Sequence, residues 1–235
     1  MSSLNFIGGE KGGVGKSVAS RLLAQYFVDK GQPFTGFDTD RSHRSFTRFY
    51  SDFASPVIVD NYESLDLIAS EFADTTTDGR HKSVIVDLAA QTAAPLARWI
   101  KDSDLLNLFS DMGVKVNFWH MTDAGRDSVD LLDRLLNTYG AGPNYIVVKN
   151  LGRGTDFSLL NESQALKNAL AMHAKVISLP SLNEGSMVKI DRHNSSFWAA
   201  VNAGEGAHVL GMLERQRVRT WLKNCYAIFD DLPLS

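Results

Sequence analysis

Two rhythms of apolar and polar positions run along this chain. Short stretches dominated by apolar residues, such as Leu4–Gly8 and Ser83–Leu88, are separated by longer ones in which apolar residues return every three or four positions. The first rhythm fits strands covered on both faces, and the second fits amphipathic helices. Strands are predicted over Leu4–Gly8, Pro33–Asp38, Val57–Val59, Ser83–Leu88, Val114–His120, Asn144–Lys149 and Lys175–Leu179. Helices are predicted over Lys16–Lys30, about Ser42–Ser51, Tyr62–Ala73, Ala93–Ser103, Ala124–Tyr139, Asn161–Met172 and about Glu205–Phe229. Strand and helix alternating in this way indicate an α/β fold, a mostly parallel sheet flanked by helices on both faces in three layers. Gly31 and Pro33 stop the first helix, Gly140-Ala141-Gly142-Pro143 is a helix-to-strand turn, and Thr75-Thr76-Thr77-Asp78-Gly79 reads as a polar surface loop. With no repeat or linker, the 235 residues are expected to form a single domain over 1–235.

Composition narrows the function. No apolar run approaches the length of a membrane span, and the first strand begins without a basic leader or cleavage site, so a cytoplasmic protein with no membrane partner is expected. The last residues, Phe229 to Ser235, are acidic and interrupted by Pro233, unlike a basic amphipathic anchor. A single cysteine, Cys225, excludes an internal disulfide and a four-cysteine metal or iron–sulfur site within one chain. A net charge of −3 argues against a globally basic nucleic-acid binder and leaves room for a local patch. The six histidines lack metal-ligand spacing, and one such as His120 reads as packed or exposed.

The chemistry lies in Lys11-Gly12-Gly13-Val14-Gly15-Lys16-Ser17, between the first strand and the first helix. Glycines at 12, 13 and 15 let successive N–H groups face a phosphate chain. Lys16 would reach the β- and γ-phosphates, and the Ser17 hydroxyl would ligate Mg²⁺. Gly12, Gly13, Val14, Gly15, Lys16, Ser17 and Val18 are therefore the expected nucleotide-binding run. Asp87 ends a buried strand, where loop-type NTPases keep a carboxylate behind the metal. ATP and Mg²⁺ are the expected cofactors.

The general loop pattern asks for glycine at position 10, where this chain has Glu10. What the run matches is the deviant Lys-Gly-Gly-x-Gly-Lys-Ser/Thr form, and here the chain resembles the ParA/MinD family of ATPases, most of all its small plasmid-borne partition, stability and mobilisation members. The resemblance implies an ATP-dependent homodimer in which Lys11 crosses to the partner's nucleotide. It implies a first switch at Asp38 and Asp40, with Asp38 near the Mg²⁺ shell or attacking water and Asp40 sensing the γ-phosphate. Asp40 also reads as a helix cap. It further implies base recognition by Asn150, flanked by Pro180; Asn150 equally fits a turn before Gly152. Lys11, Lys16, Asp38, Asp40 and Asp87 are thus the expected catalytic set, with Ser17, Asp38 and Asp87 about the metal. Leu88-Ala89-Ala90-Gln91-Thr92 departs from the family, which places Pro and Gly there, so switching or hydrolysis is expected to be altered.

Arg215, Arg219 and Lys223 recur every four residues along the last predicted helix, with Val209, Met212, Leu213, Trp221, Leu222, Cys225 and Phe229 as its apolar contacts. A second cluster, Arg41, Arg44 and Arg48, follows the first switch. Together they could track phosphates on non-specific DNA or form a solvated basic face. Ser195-Ser196-Phe197-Trp198 reads as core or a partner groove. The expected function is a cargo-positioning ATPase that partitions or mobilises a cargo such as plasmid DNA with a partner protein. The alternatives are an ATP-dependent biosynthetic enzyme acting on a small carboxylate, resembling dethiobiotin synthetase, and a nucleotide-gated adaptor with negligible turnover.

Overall fold

The computed structural model describes residues 2–73, 81–203 and 210–234. The predicted loop at 75–79 and the predicted helical residues 205–209 lie outside the described residues. Seven strands form one sheet: β1 (Ser3–Gly8), β2 (Phe34–Asp38), β3 (Ala54–Pro56), β4 (Ser83–Asp87), β5 (Lys115–Thr122), β6 (Asn144–Asn150) and β7 (Lys175–Leu179). Their order is β3-β2-β4-β1-β5-β6-β7, and every neighbouring pair is parallel. β1 is buried along its whole length, and its polar members Ser3 and Asn5 are hydrogen-bonded to each other and to β4.

The described helices are α1 (Lys16–Asp29), α2 (Ser45–Phe49), α3 (Tyr62–Ser70), α4 (Ala93–Asp102), α5 (Leu105–Asp111), α6 (Arg126–Tyr139), α7 (Ser158–Glu162), α8 (Gln164–Ala171), α9 (Glu184–Arg192), α10 (Phe197–Asn202) and α11 (Met212–Phe229). One core cluster joins the sheet to α1, α2, α9, α10 and α11. The other joins the opposite face to α3 through α8. The sheet is therefore the middle of three layers. Arg21 on α1 ties α2 to the later helices: its guanidinium lies 3.5 Å from the Phe49 ring centre and 4.9 Å from that of Phe197, and donates to Asp191 Oδ1 at 2.8 Å.

Several boundaries differ from the sequence reading for local reasons. Val57 and Val59 are buried, but the residues that pair with β2 are Ala54 to Pro56, and Val57 contributes one N–H to Asp38 O. The predicted helix over Asn161–Met172 is two helices. Ser163 is extended, donates to Leu160 O and accepts from Leu166 N, so it ends α7 and caps α8. Helices α5, α9 and α10 escaped the periodicity search because each is short; Asn183 and Ser196 cap the last two. On α11 the buried face is Val218, Trp221, Leu222, Cys225 and Phe229, each large side chain contributing roughly 1.5–3 kcal/mol. Met212 and Leu213 instead stand out in solvent, at 81% and 63% exposure, because the helix begins at Met212 and its first turn projects past the core.

Candidate functional site

The carboxyl ends of β1, β2, β4, β5, β6 and β7 meet along one edge, the usual ligand edge of an open parallel sheet. From β1 the chain enters the glycine-rich loop, with Gly13 at φ 76° and Gly15 at φ 99°. A side chain at 15 would collide with the Asn150 amide. Gly15 therefore serves both the loop's left-handed turn and the close approach of β6.

Lys16, at the start of α1, is 9% exposed, and its Nζ donates to Lys11 O at 2.8 Å. Burial lowers its pKa, opposed by the carboxylates of Asp87, Glu10 and Asp40. Behind it lies Asp87, the last residue of β4. Burial raises the Asp87 pKa to about 7, with the Asp38 charge adding and the Ser17 and Ser20 hydroxyls opposing. Asp87 Oδ1 is buried without a hydrogen-bond partner. A buried carboxylate oxygen lacking a donor, next to the Ser17 hydroxyl, suits a hard divalent cation that takes oxygen ligands. The residues present thus fit Mg²⁺, with Ser17 and Asp87 to hold it.

Asp38 is paired in register with Asp87, but its oxygens are already engaged. Oδ2 accepts from Phe46 N at 2.9 Å and Thr47 N at 3.0 Å, and Oδ1 accepts from Asp40 N. Asp38 is thus the long-range cap of α2. Asp40 closes the next turn, accepting from Ser42 N and His43 N. Burial pushes its pKa up, yet these N–H groups and the His43 ring bring it below the ordinary value. Thr39 between them joins the end of β2 to the segment after β4: its N–H and hydroxyl donate to Asp87 O, and its Oγ1 accepts from Ala89 N.

Lys11 is held within its own chain. Its Nζ lies 2.9 Å from Asp123 Oδ2 and 3.6 Å from Asp127 Oδ2, and the Asp123 bond raises its pKa. Asp123 follows β5, which extends two residues beyond the predicted His120 end and so brings Asp123 to the ligand edge. That extension is the missed signal. Glu10 also acquires a role, its Oε1 accepting from Ala93 N at 2.9 Å as the cap of α4. Gln91, where the family places glycine nearby, takes a left-handed φ of 66°.

Asn150 and Pro180 stand on adjacent strand ends, through the pairing of Asn150 with Leu179. The Asn150 amide donates to Val14 O at 2.8 Å and accepts from Gly152 N at 3.0 Å, so it braces the loop. Pro180 O accepts from Trp221 Nε1. Val14 is buried, Ser17 and Val18 are half-buried, and Gly12 is exposed on the open side of the loop.

No family model matches the chain. Two TraL proteins of Escherichia coli are 26% and 25% identical to it over 200 residues, 78% of this chain and 79% of theirs. The MinD cell division protein of Aquifex aeolicus superposes over the full length of both chains, with a TM-score of 0.56 at 14% identity. A Borrelia burgdorferi structure described as a plasmid partition protein bound to AMPPNP gives 0.53 at 14% identity, over 96% of this chain and 100% of that one. In fold the chain is like these two structures, and its loop resembles the ParA/MinD form. This architecture places the loop, Asp38, Asp87 and the candidate base-binding residues on one edge of the sheet.

The basic residues of α11 fall apart from that edge. Arg219 and Lys223 are exposed and line a groove with Trp198, which is 54% exposed while Phe197 is fully buried. Arg215 is half-buried, with Nε donating to Leu210 O. Arg41, Arg44 and Arg48 are exposed around α2, Arg41 lying 3.9 Å from Asp60. Among the described residues no helix is long and apolar enough to cross a membrane, and no cluster of His, Cys, Asp and Glu suits a metal.

Proposed function

We propose that this protein is a Mg²⁺·ATP-dependent, dimerising ATPase that positions or mobilises a cargo, plasmid DNA being the best candidate. The observation that carries the reading is the buried, partnerless Asp87 Oδ1 beside Ser17, under a phosphate-binding loop. Bound Mg²⁺ would neutralise charge on the terminal phosphates. Lys16, released from Lys11 O, is free to turn to the phosphate chain. Thr39 transmits a shift at either switch to the other through Asp87 O and Ala89 N. Lys11 would leave Asp123 and reach the partner's nucleotide, where a cation supplied in trans can contribute ~10³–10⁵ in rate. Asn150 and Pro180, on adjacent strand ends, would flank the base, Asn150 after release from Val14 O. The description of the Borrelia structure as a plasmid partition protein supports the cargo class.

Arg219 and Lys223, with Arg215 behind them, are the proposed DNA-contacting residues. The test is retention on non-specific double-stranded DNA with Mg²⁺·ATP, with Mg²⁺·ADP and without nucleotide, at two salt concentrations. Salt-sensitive retention in ATP alone, lost in Arg219→Glu/Lys223→Glu, is expected. Equal absence of retention in every state would overturn the DNA assignment.

A further inference from the structure

The sheet face beneath α4 and α6 is incompletely filled. A cavity of about 290 Å³ lies between the two helices, near the lower end of the ~300–1,000 Å³ range of small-molecule pockets. On the α4 side it is lined by small residues, Ala94 and Ala97, and on the other by Phe118 and Leu135. Gly9 and Glu10 of the nucleotide loop form its upper end.

Elsewhere the walls change character. The Tyr139 ring stacks on Phe118, with ring centres 4.3 Å apart, and its hydroxyl has no hydrogen-bond partner among the described residues. Arg134, one turn earlier on the same helix, lines the cavity and makes no ion pair among the described residues. Beyond Tyr139 and Ala97 the space continues into a cleft of about 340 Å³ edged by Arg98 and Lys101, with Asp104 as the one carboxylate among its lining residues. The apolar body of the cavity therefore leads to a phenol donor and three cations.

We propose that this cavity binds a small amphiphilic monocarboxylate, its apolar tail between α4 and α6 and its carboxylate at Arg134 and Tyr139. Because Glu10 belongs both to the cavity wall and to the loop, an occupant would press on the same segment that receives nucleotide.

The experiment is calorimetric titration of the nucleotide-free protein with decanoate below its micelle concentration, and with decanol in parallel. Working without nucleotide makes the result independent of ATPase activity. Saturable binding of one decanoate per chain is expected, weakened at least tenfold by Ala97→Phe, which fills the cavity, and by Arg134→Glu, which inverts the charge at the head group. Decanol affinity should be unchanged by Arg134→Glu. Leu131→Trp, from the other wall, replaces Ala97→Phe if circular dichroism shows the latter misfolded. Absence of saturable decanoate binding by the wild type, or undiminished binding by a folded cavity-filling variant, would overturn the proposal.

Discussion

Lys11 Nζ sits 2.9 Å from Asp123 Oδ2 of the same chain, with Asp127 at 3.6 Å. If this lysine acts on a partner's nucleotide, the ion pair must open first, so it sets a threshold for dimerisation. Both groups are partly exposed, and solvent screens such pairs, so the threshold is small. Asp123→Ala should therefore lower the protein concentration needed for Mg²⁺·ATP-dependent dimers by up to about fivefold, read by light scattering, without changing nucleotide affinity of the monomer. An unchanged midpoint would mean that the pair is no latch.

Asp38 was expected at the metal and is found capping α2, with Phe46 N and Thr47 N on one oxygen. Asp38→Ala strands two buried or half-buried N–H groups and should cost about 2–4 kcal/mol in urea unfolding. Asp38→Asn retains an acceptor and should cost less. Loss of turnover with intact stability would instead favour a direct catalytic role.

Two buried groups give opposite pH trends. His120, whose Nε2–H donates to Ser128 O, has its pKa lowered by burial to about 4. Below pH 6.5 the unfolded chain takes up a proton there that the folded chain refuses, so this contribution is lost as pH falls toward 4. Asp87, raised to about 7, holds a proton in the folded chain that the unfolded chain has released, so its contribution is lost as pH rises from about 4 to 7. In metal-free buffer the two should largely offset between pH 4 and 6.5. Asp87→Asn should expose a fall in stability on acidification on the order of 3 kcal/mol from His120 alone, followed by denaturant unfolding at several pH values. A flat profile in that variant would contradict the assignment.

Gln91 holds a left-handed backbone at φ 66° and is exposed. Gln91→Gly should be neutral or stabilising by up to ~1 kcal/mol, while Gln91→Val should destabilise by about 1–3 kcal/mol, both read from thermal melts. Stabilisation by valine would show that the turn does not require this conformation.

The layered fold was readable because β1, β4 and β6 carry mainly apolar centres and the longer helices carry a three-to-four-residue period. The loop was readable because glycines at 12, 13 and 15 in that context have little other use. What the sequence concealed was side-chain reach. Nothing local says that Asp38 bonds residues eight and nine positions away, that Glu10 caps a helix beginning at Ala93, or that Asn150 braces Val14. Each contact depends on strand order, which brings distant segments to the same edge. Asp123 was hidden by a smaller error, the end of β5 set two residues early.

The central claim is a nucleotide-driven dimer in which Lys11 acts across the interface. The decisive measurement is Mg²⁺·ATP hydrolysis per chain against protein concentration, for the wild type and Lys11→Ala, with Lys16→Ala, which should not bind nucleotide, as baseline. The account predicts that wild-type turnover per chain rises with concentration while Lys11→Ala binds ATP yet stays near baseline. Turnover independent of concentration and equal in the wild type and Lys11→Ala would contradict it.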